Sequence, residues 1–246
     1  MYCYASELGG CSQIQSGEHI VSKGLFEDSI SVKGFPWCKD EIKTVGINSL
    51  VANILCSEHN SALSKFDASA IKTFEGIRSM SERQNRYKDV LVKARFGNKK
   101  HNINGYEFEK WATKTFLNIM HYSKKSDLLY DKEYLLKIVY TNEQFKEPYG
   151  LYSFAKKGQK IQSPGHLSFV PITNNYDKET IGTLFEFHGY LFMLQFPSIS
   201  GKPFIKEIGL PGSLVDWSGA AEMWRPKQLI AREAIKRYKD TIEFHW

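Results

Sequence analysis

The chain has 246 residues, 42% of them hydrophobic and 14% aromatic, enough to bury a sizeable core and too apolar for a disordered chain. No apolar run approaches the roughly 18 to 20 residues that span a bilayer. The N-terminus also lacks the basic and apolar regions of a secretory signal, so a cytoplasmic protein with no membrane partner is expected. The formal net charge of +6 is uneven: residues 1–70 carry five lysines against eight carboxylates, while residues 71–130 carry thirteen basic against six acidic residues. An acidic segment can hold cations and a basic one can face a polyanion, although a solvated basic helix gives the same count.

Residues 1–30 read as irregular chain plus a short hairpin, with turn signals at Gly9-Gly10 and Ser16-Gly17. The stretch VKGFPWCKDE reads as loop, because Gly34 and Pro36 interrupt any regular element. From Ile47 to about Met80 the pattern is helical. Asp67 is placed as the N-cap of a helix carrying Ile71, Phe74 and Ile77, and Leu50, Leu55 and Leu63 pack a shorter helix before it. Residues 82–102 form a basic stretch, a helix or a helix followed by a strand, ended by Gly97-Asn98.

INGYEFEKWATKTFLNIMHYS sets Phe108, Trp111, Thr115, Phe116 and Ile119 on one helix face. After Lys124-Lys125 the runs YLLKIVY, GLYSFAKK, HLSFVPI, TIGTLFEF and YLFMLQF read as strands, the last two as a hairpin turning at His188-Gly189. A closing helix is expected over RPKQLIAREAIKRYKDTI, turning Leu229, Ile230, Ala234 and Ile235 to a core, and Trp37, Trp111, Trp217 and Trp224 are read as core residues. The fold class is α+β: an N-terminal Cys/His-rich module over residues 1–80, then an α+β domain over 81–246 with a small antiparallel sheet.

All four cysteines, Cys3, Cys11, Cys38 and Cys56, fall in the first quarter of the chain. In a reducing compartment such clustering argues for a metal site, with disulfides or free buried thiols as the alternatives. Cys56-x-x-His59 has the spacing of half a zinc knuckle, two ligands on one turn able to reach a single ion. Cys3 and Cys11 are the natural completing pair, and Cys38 is a rival for either position.

Asn60 follows His59 directly, and Glu18-His19 precedes the pair in the stretch SGEHIVS. This order of cysteines, Glu-His and Cys-x-x-His-Asn resembles the HNH endonucleases of the ββα-metal fold, in the branch of recombination endonuclease VII and the EHIIP-type proteins. The likeness covers residues 1–67. It implies that Cys3, Cys11, Cys56 and His59 bind structural Zn2+, that Glu18 and Asn60 hold a catalytic Mg2+ or Mn2+, and that His19 is the general base. Asn48 and Asn53 are both available for the middle polar position, and Asn53 is preferred. Ser22 stands where the family usually carries proline, and His59 where it usually carries a cysteine.

Arg83, Arg86, Lys88, Lys93 and Arg95, interleaved with Tyr87 and Phe96, form a candidate surface for the nucleic-acid backbone. The resemblance implies a metal-dependent DNA endonuclease of limited sequence preference. The C-terminal domain would serve recognition, regulation or docking of a protein partner, a layout that by analogy suits an anti-phage effector. The alternative is a non-catalytic zinc-stapled module that binds nucleic acid or protein.

Overall fold

In a computed structural model, the residues described are 2–26, 28–33, 35, 37–87, 99–123, 129–155, 167–174, 179–187, 190–200, 221–231 and 240–246. Strands and helices mix, as the α+β expectation has it, and the strands pair in small antiparallel sheets. Two units divide the chain, and they interleave. The first comprises Met1–Gly76, Ile103–Leu128 and Lys132–Gln144; the second comprises Ile77–Asn102, Leu129–Asp131 and Phe145–Trp246.

In the first unit, β1 (Gln15–His19), β2 (Ser29–Val32), β3 (Lys43–Gly46) and β4 (Val51–Cys56) form two separate two-stranded sheets, β1 with β4 and β2 with β3. The β1–β4 register runs Gln15↔Cys56, Ser16↔Leu55, Glu18↔Ala52 and His19↔Val51, with a bulge between Ser16 and Glu18. β1 therefore finds its partner more than thirty residues downstream. That pairing draws residues 51–56 into a strand where a helix from Ile47 was expected, since β1 supplies ladder bonds that no local pattern announces. From the end of β4 the chain enters α1 (Ser57–Ser61) and then α2 (Ser64–Tyr87). α2 starts at Ser64, so Asp67 lies inside its first turn and caps nothing; its carboxylate is used elsewhere.

β5 (Lys100–Asn104) leads into α3 (Gly105–Ser123), where Asn104 Oδ1 accepts a hydrogen bond from the Glu107 N–H at 3.2 Å. That is an N-cap bond onto the third helical residue. Phe108, Trp111, Thr115 and Phe116 are buried as their spacing predicts, while Ile119 is half-exposed. Trp111 lies 5.1 Å from Phe74 and 5.4 Å from Phe108 between ring centroids, an aromatic cluster joining α2 to α3. α3 is buried on nearly every side, which also takes Thr113, Lys114 and Asn118 inside.

The stretch YLLKIVY, expected as a strand, is helix α4 (Lys132–Tyr140). Its buried residues Leu135, Leu136, Ile138 and Val139 recur three and four apart, and Glu133 pairs with Lys137 at 2.7 Å one turn away. Both are helical signatures and outweigh the β-branched content. α3 and α4 belong to the first unit because their apolar faces complete its core.

The second unit contains β6 (Gly150–Ala155), β7 (Leu167–Thr173), β8 (Thr180–Phe187), β9 (Tyr190–Gln195) and β10 (Ala221–Trp224) in one antiparallel sheet, order β10-β6-β9-β8-β7. Four of these strands match the expected runs. The β8–β9 hairpin ends on the pair Phe187↔Tyr190, and its turn residues His188 and Gly189 lie outside the described residues. β7 is an edge strand, which is where a strand tolerates Pro171.

The closing helix is also corrected. β11 (Gln228–Ala231) and β12 (Asp240–His245) pair antiparallel, Leu229 opposite Ile242 and Ile230 opposite Thr241, in a three-stranded sheet of order β11-β12-β5. Ile242 and Phe244, two apart, are buried. Cross-strand pairing overrides local helix propensity there. Ala234 and Ile235 lie outside the described residues.

Trp111 is fully buried, whereas Trp37 is 38% exposed with its indole donating to Tyr122 Oη at 3.0 Å. Trp217 and the Trp224 side chain lie outside the described set. Among the described residues, no helix is long and apolar enough to cross a membrane.

Candidate metal centre and the adjoining strand end

Cys3, Cys11, Cys56 and His59 converge, with their four ligand atoms all within 4.8 Å of one another. Left-handed Gly9 (φ 75°) and Gly10 (φ 69°) turn the chain between the first two ligands. A bond from Tyr4 N–H to the Ile54 carbonyl (3.0 Å) and one from Gln15 Nε2 to the Leu55 carbonyl (2.7 Å) tie the N-terminal segment and β1 to β4. Cys56 ends β4 and His59 lies on α1, so a strand-to-helix junction presents both.

His59 Nδ1 is 3.5 Å from Cys3 Sγ, 3.6 Å from Cys11 Sγ and 3.2 Å from Cys56 Sγ. Zinc takes sulfur at about 2.3 Å and imidazole nitrogen at about 2.0 Å in a tetrahedron, which requires S···N separations of about 3.6 Å. The donor set therefore fits one Zn2+, held by three thiolates and an imidazole. Burial alone would raise the Cys56 thiol, but hydrogen bonds from the backbone N–H groups of His59 and Ser12 and from the His59 side chain bring it down to about 6. Burial and the neighbouring Cys3 and Cys56 push Cys11 up to about 11 without metal. Cys38 is buried and free, and it is not a member of the cluster.

α1 lies against β1 through Asn60, whose Nδ2 donates to Ser16 Oγ at 2.8 Å and to the Gly17 carbonyl at 3.3 Å. Asn60 Oδ1 accepts no hydrogen bond among the described residues. Gly17 occupies the bulge: a Cβ there would meet Val51 Cγ1 at 2.8 Å and Asn53 Oδ1 at 3.8 Å, so the exposed Asn53 side chain reaches the same point of the strand. His19, at the end of β1, is half-buried, and its Nε2 is enclosed without a hydrogen-bond partner among the described residues.

Glu18 faces the other way, as successive strand residues do. It is 4% exposed and meets α3: Lys114 Nζ lies 2.7 Å from Glu18 Oε1, and Asn118 Nδ2 donates to the same oxygen at 2.9 Å. Glu18 Oε2 takes neither bond. Lys114 also pairs with Asp67 Oδ1 at 2.7 Å, and Asp67 accepts from the Ser22 hydroxyl, which itself accepts from Trp111 Nε1–H at 2.8 Å. Asn118 further donates to the His19 carbonyl (3.3 Å) and accepts from Tyr4 Oη–H (2.9 Å). Burial, with the charges of its neighbours, pushes the Tyr4 hydroxyl well above its usual range. One polar chain thus runs from the residue after ligand Cys3 to the indole of Trp111.

No hydrogen bond links the side chains of Glu18, His19 and Asn60 directly to one another among the described residues. Lys114, Asn118, Asp67 and Ser22 are the site residues that sequence reasoning missed. One signal was available: Lys114 and Asn118 stand four apart on a helix rich in apolar and aromatic residues, so burying it brings in polar groups that need partners. Ser22, at the position where proline was expected, has a specific task as the link between Trp111 and Asp67. Arg83 and Arg86 fall on α2 with side chains outside the described set, and Lys88, Lys93 and Arg95 lie outside the described residues. No family model, no curated protein and no solved structure matches the chain.

Proposed function

We propose that the first unit is a zinc-stapled ββα module that hydrolyses DNA phosphodiester bonds in the manner of the HNH endonucleases it resembles. The observation that carries this reading is the junction of α1 with β1. The helix that carries His59 of the zinc cluster also sets Asn60 against Ser16 and Gly17, on the strand that ends in Glu18 and His19. An antiparallel strand pair running straight into that helix is the local topology such a module needs.

His19 acts as the general base. Its Nε2 accepts no hydrogen bond among the described residues, so its lone pair is unspent; because the atom is enclosed, the role requires that substrate binding admit the attacking water to it. The water oxygen bonds to phosphorus as the bond from phosphorus to the departing 3′ oxygen breaks, and solvent protonates that oxygen. Glu18 Oε2 and Asn60 Oδ1 are the open hard oxygen donors suited to Mg2+ or Mn2+. A bound cation would supply charge stabilisation at the phosphate and the leaving oxygen. Asn53, beside Gly17, is the polar residue expected near the phosphate. The basic stretch containing Arg83, Arg86, Lys88, Lys93 and Arg95 would track the DNA backbone and so give little sequence preference. Three thiolates on one zinc suit a reducing, cytoplasmic setting, and an anti-phage role with a partner docked on the second unit belongs to the same proposal.

Plasmid incubated with zinc-loaded protein and Mn2+ tests this reading, with His19→Ala and Asn60→Ala beside the wild type. Nicking that drops at least about a hundredfold in both variants is expected; nicking that persists in both removes the site. The second reading, a non-catalytic zinc-stapled binding module, is favoured by the commitment of Glu18 Oε1 to Lys114 and Asn118. It predicts no nicking by any of the three proteins.

A further inference from the structure

Lys114 is a costly residue to place where it is. Its side chain is 0% exposed, and its ammonium sits 2.7 Å from Glu18 on β1 and 2.7 Å from Asp67 on α2. A buried ion pair is often no more stable than apolar residues of the same volume, so burial alone gives no reason for it. Its geometry gives one. The ammonium and the Asn118 amide both bond Oε1 of Glu18, which pins the carboxylate and leaves only Oε2 open. Asn118 holds the His19 carbonyl as well, so α3 fixes both residues of the Glu-His pair.

We propose that Lys114, supported by Asn118, is a positioning residue that restricts Glu18 to one-oxygen ligation and sets how weakly the site takes a divalent cation. The inference rests on the nuclease reading, in which Glu18 is a cation ligand. Electrostatics give its direction. Two carboxylates share one ammonium, and that ammonium partly neutralises Glu18 and repels any second cation nearby. With the charge removed, Glu18 is free to offer both oxygens and its full charge, so it takes the cation more tightly. It is then no longer held for the reaction. Affinity and turnover therefore move in opposite directions, which loss of packing alone would not produce.

The test is Mn2+ binding to the full, zinc-loaded chain, followed by the loss of free Mn2+ signal in electron paramagnetic resonance. Nicking at saturating Mn2+ is measured alongside. Lys114→Gln keeps an N–H donor for Glu18 without the charge; Lys114→Met removes both, and zinc content with circular dichroism verifies folding of each. The expected result is Mn2+ bound at least about fivefold more tightly by Lys114→Gln, with nicking slower at saturation, and Mn2+ binding lost in Glu18→Gln. Mn2+ affinity unchanged or weakened in a folded Lys114→Gln overturns the role of Lys114 while leaving the nuclease reading intact. Absence of Mn2+ binding in the wild type overturns both, because Glu18 then ligates no cation.

Discussion

Removing the Lys114 ammonium has a stability consequence that does not depend on any activity. Lys114→Met leaves Glu18, whose side chain is 6% exposed, and Asp67, whose side chain is 28% exposed, facing each other without the cation between them. Breaking a buried pair by removing one partner costs about 3 to 5 kcal/mol, because the charge left behind is neither solvated nor paired. Asp67 is partly wet and can recover some hydration, so the lower end applies, about 3 kcal/mol. Adding Glu18→Gln removes the more deeply buried orphan charge, and the amide can still accept the Asn118 hydrogen bond. The double variant should therefore lie within about 1 to 2 kcal/mol of wild type, more stable than Lys114→Met alone. Urea unfolding with free zinc held constant measures this, since a metal bound only to the native state shifts apparent stability by mass action. A loss below about 1 kcal/mol in Lys114→Met, or two effects that simply add, would refute the claim that the ammonium balances these carboxylates.

Three further outcomes are expected. The purified chain should contain one equivalent of zinc, which Cys11→Ser lowers and Cys38→Ser leaves unchanged; equal zinc in all three proteins would contradict the ligand set. Burial, with Lys132 adding, holds the His121 imidazole down at about 4 against a usual 6.5. The native state thus resists a proton that the unfolded chain accepts, so stability is full above about pH 6.5 and falls as pH drops toward 4. Allowing for partial exposure of the ring, the loss is about 1 to 2 kcal/mol, and His121→Gln should flatten that part of the profile; parallel profiles would disprove it. Finally, a chain ending at residue 144 should bind zinc and unfold cooperatively, whereas one ending at residue 80 lacks α3 and α4 and should do neither. Cooperative melting of the shorter fragment would contradict the interleaved unit.

The cluster of Cys3, Cys11, Cys56 and His59, which could hold a metal ion, was legible before any fold was known, because metal chemistry restricts ligands to few residue types and Cys56-x-x-His59 places two such types on one turn. α3 was legible because Phe108, Trp111, Thr115 and Phe116 repeat at helical spacing, and the β8–β9 hairpin because its runs flank a two-residue turn signal. The segments misread are those where a distant partner outweighs local preference. Residues 51–56 are a strand because β1 pairs with them, and residues 228–231 are a strand because β12 does. YLLKIVY misleads for a different reason: its β-branched content competes with a helical burial pattern that only the packed core makes visible.

The strand end shows the same division most clearly. The residue types in SGEHIVS and SEHN name the candidate chemistry, since a carboxylate, an imidazole and an amide have few roles in common. Which oxygen of Glu18 is spoken for could not be read from them. Lys114 and Asn118 lie about a hundred residues away in the chain, and their charge and hydrogen bonds reach Glu18 only after α3 has packed beside β1. Ligand type is a local property of the side chain; what a buried carboxylate is free to bind is set by its neighbours, and folding alone chooses those.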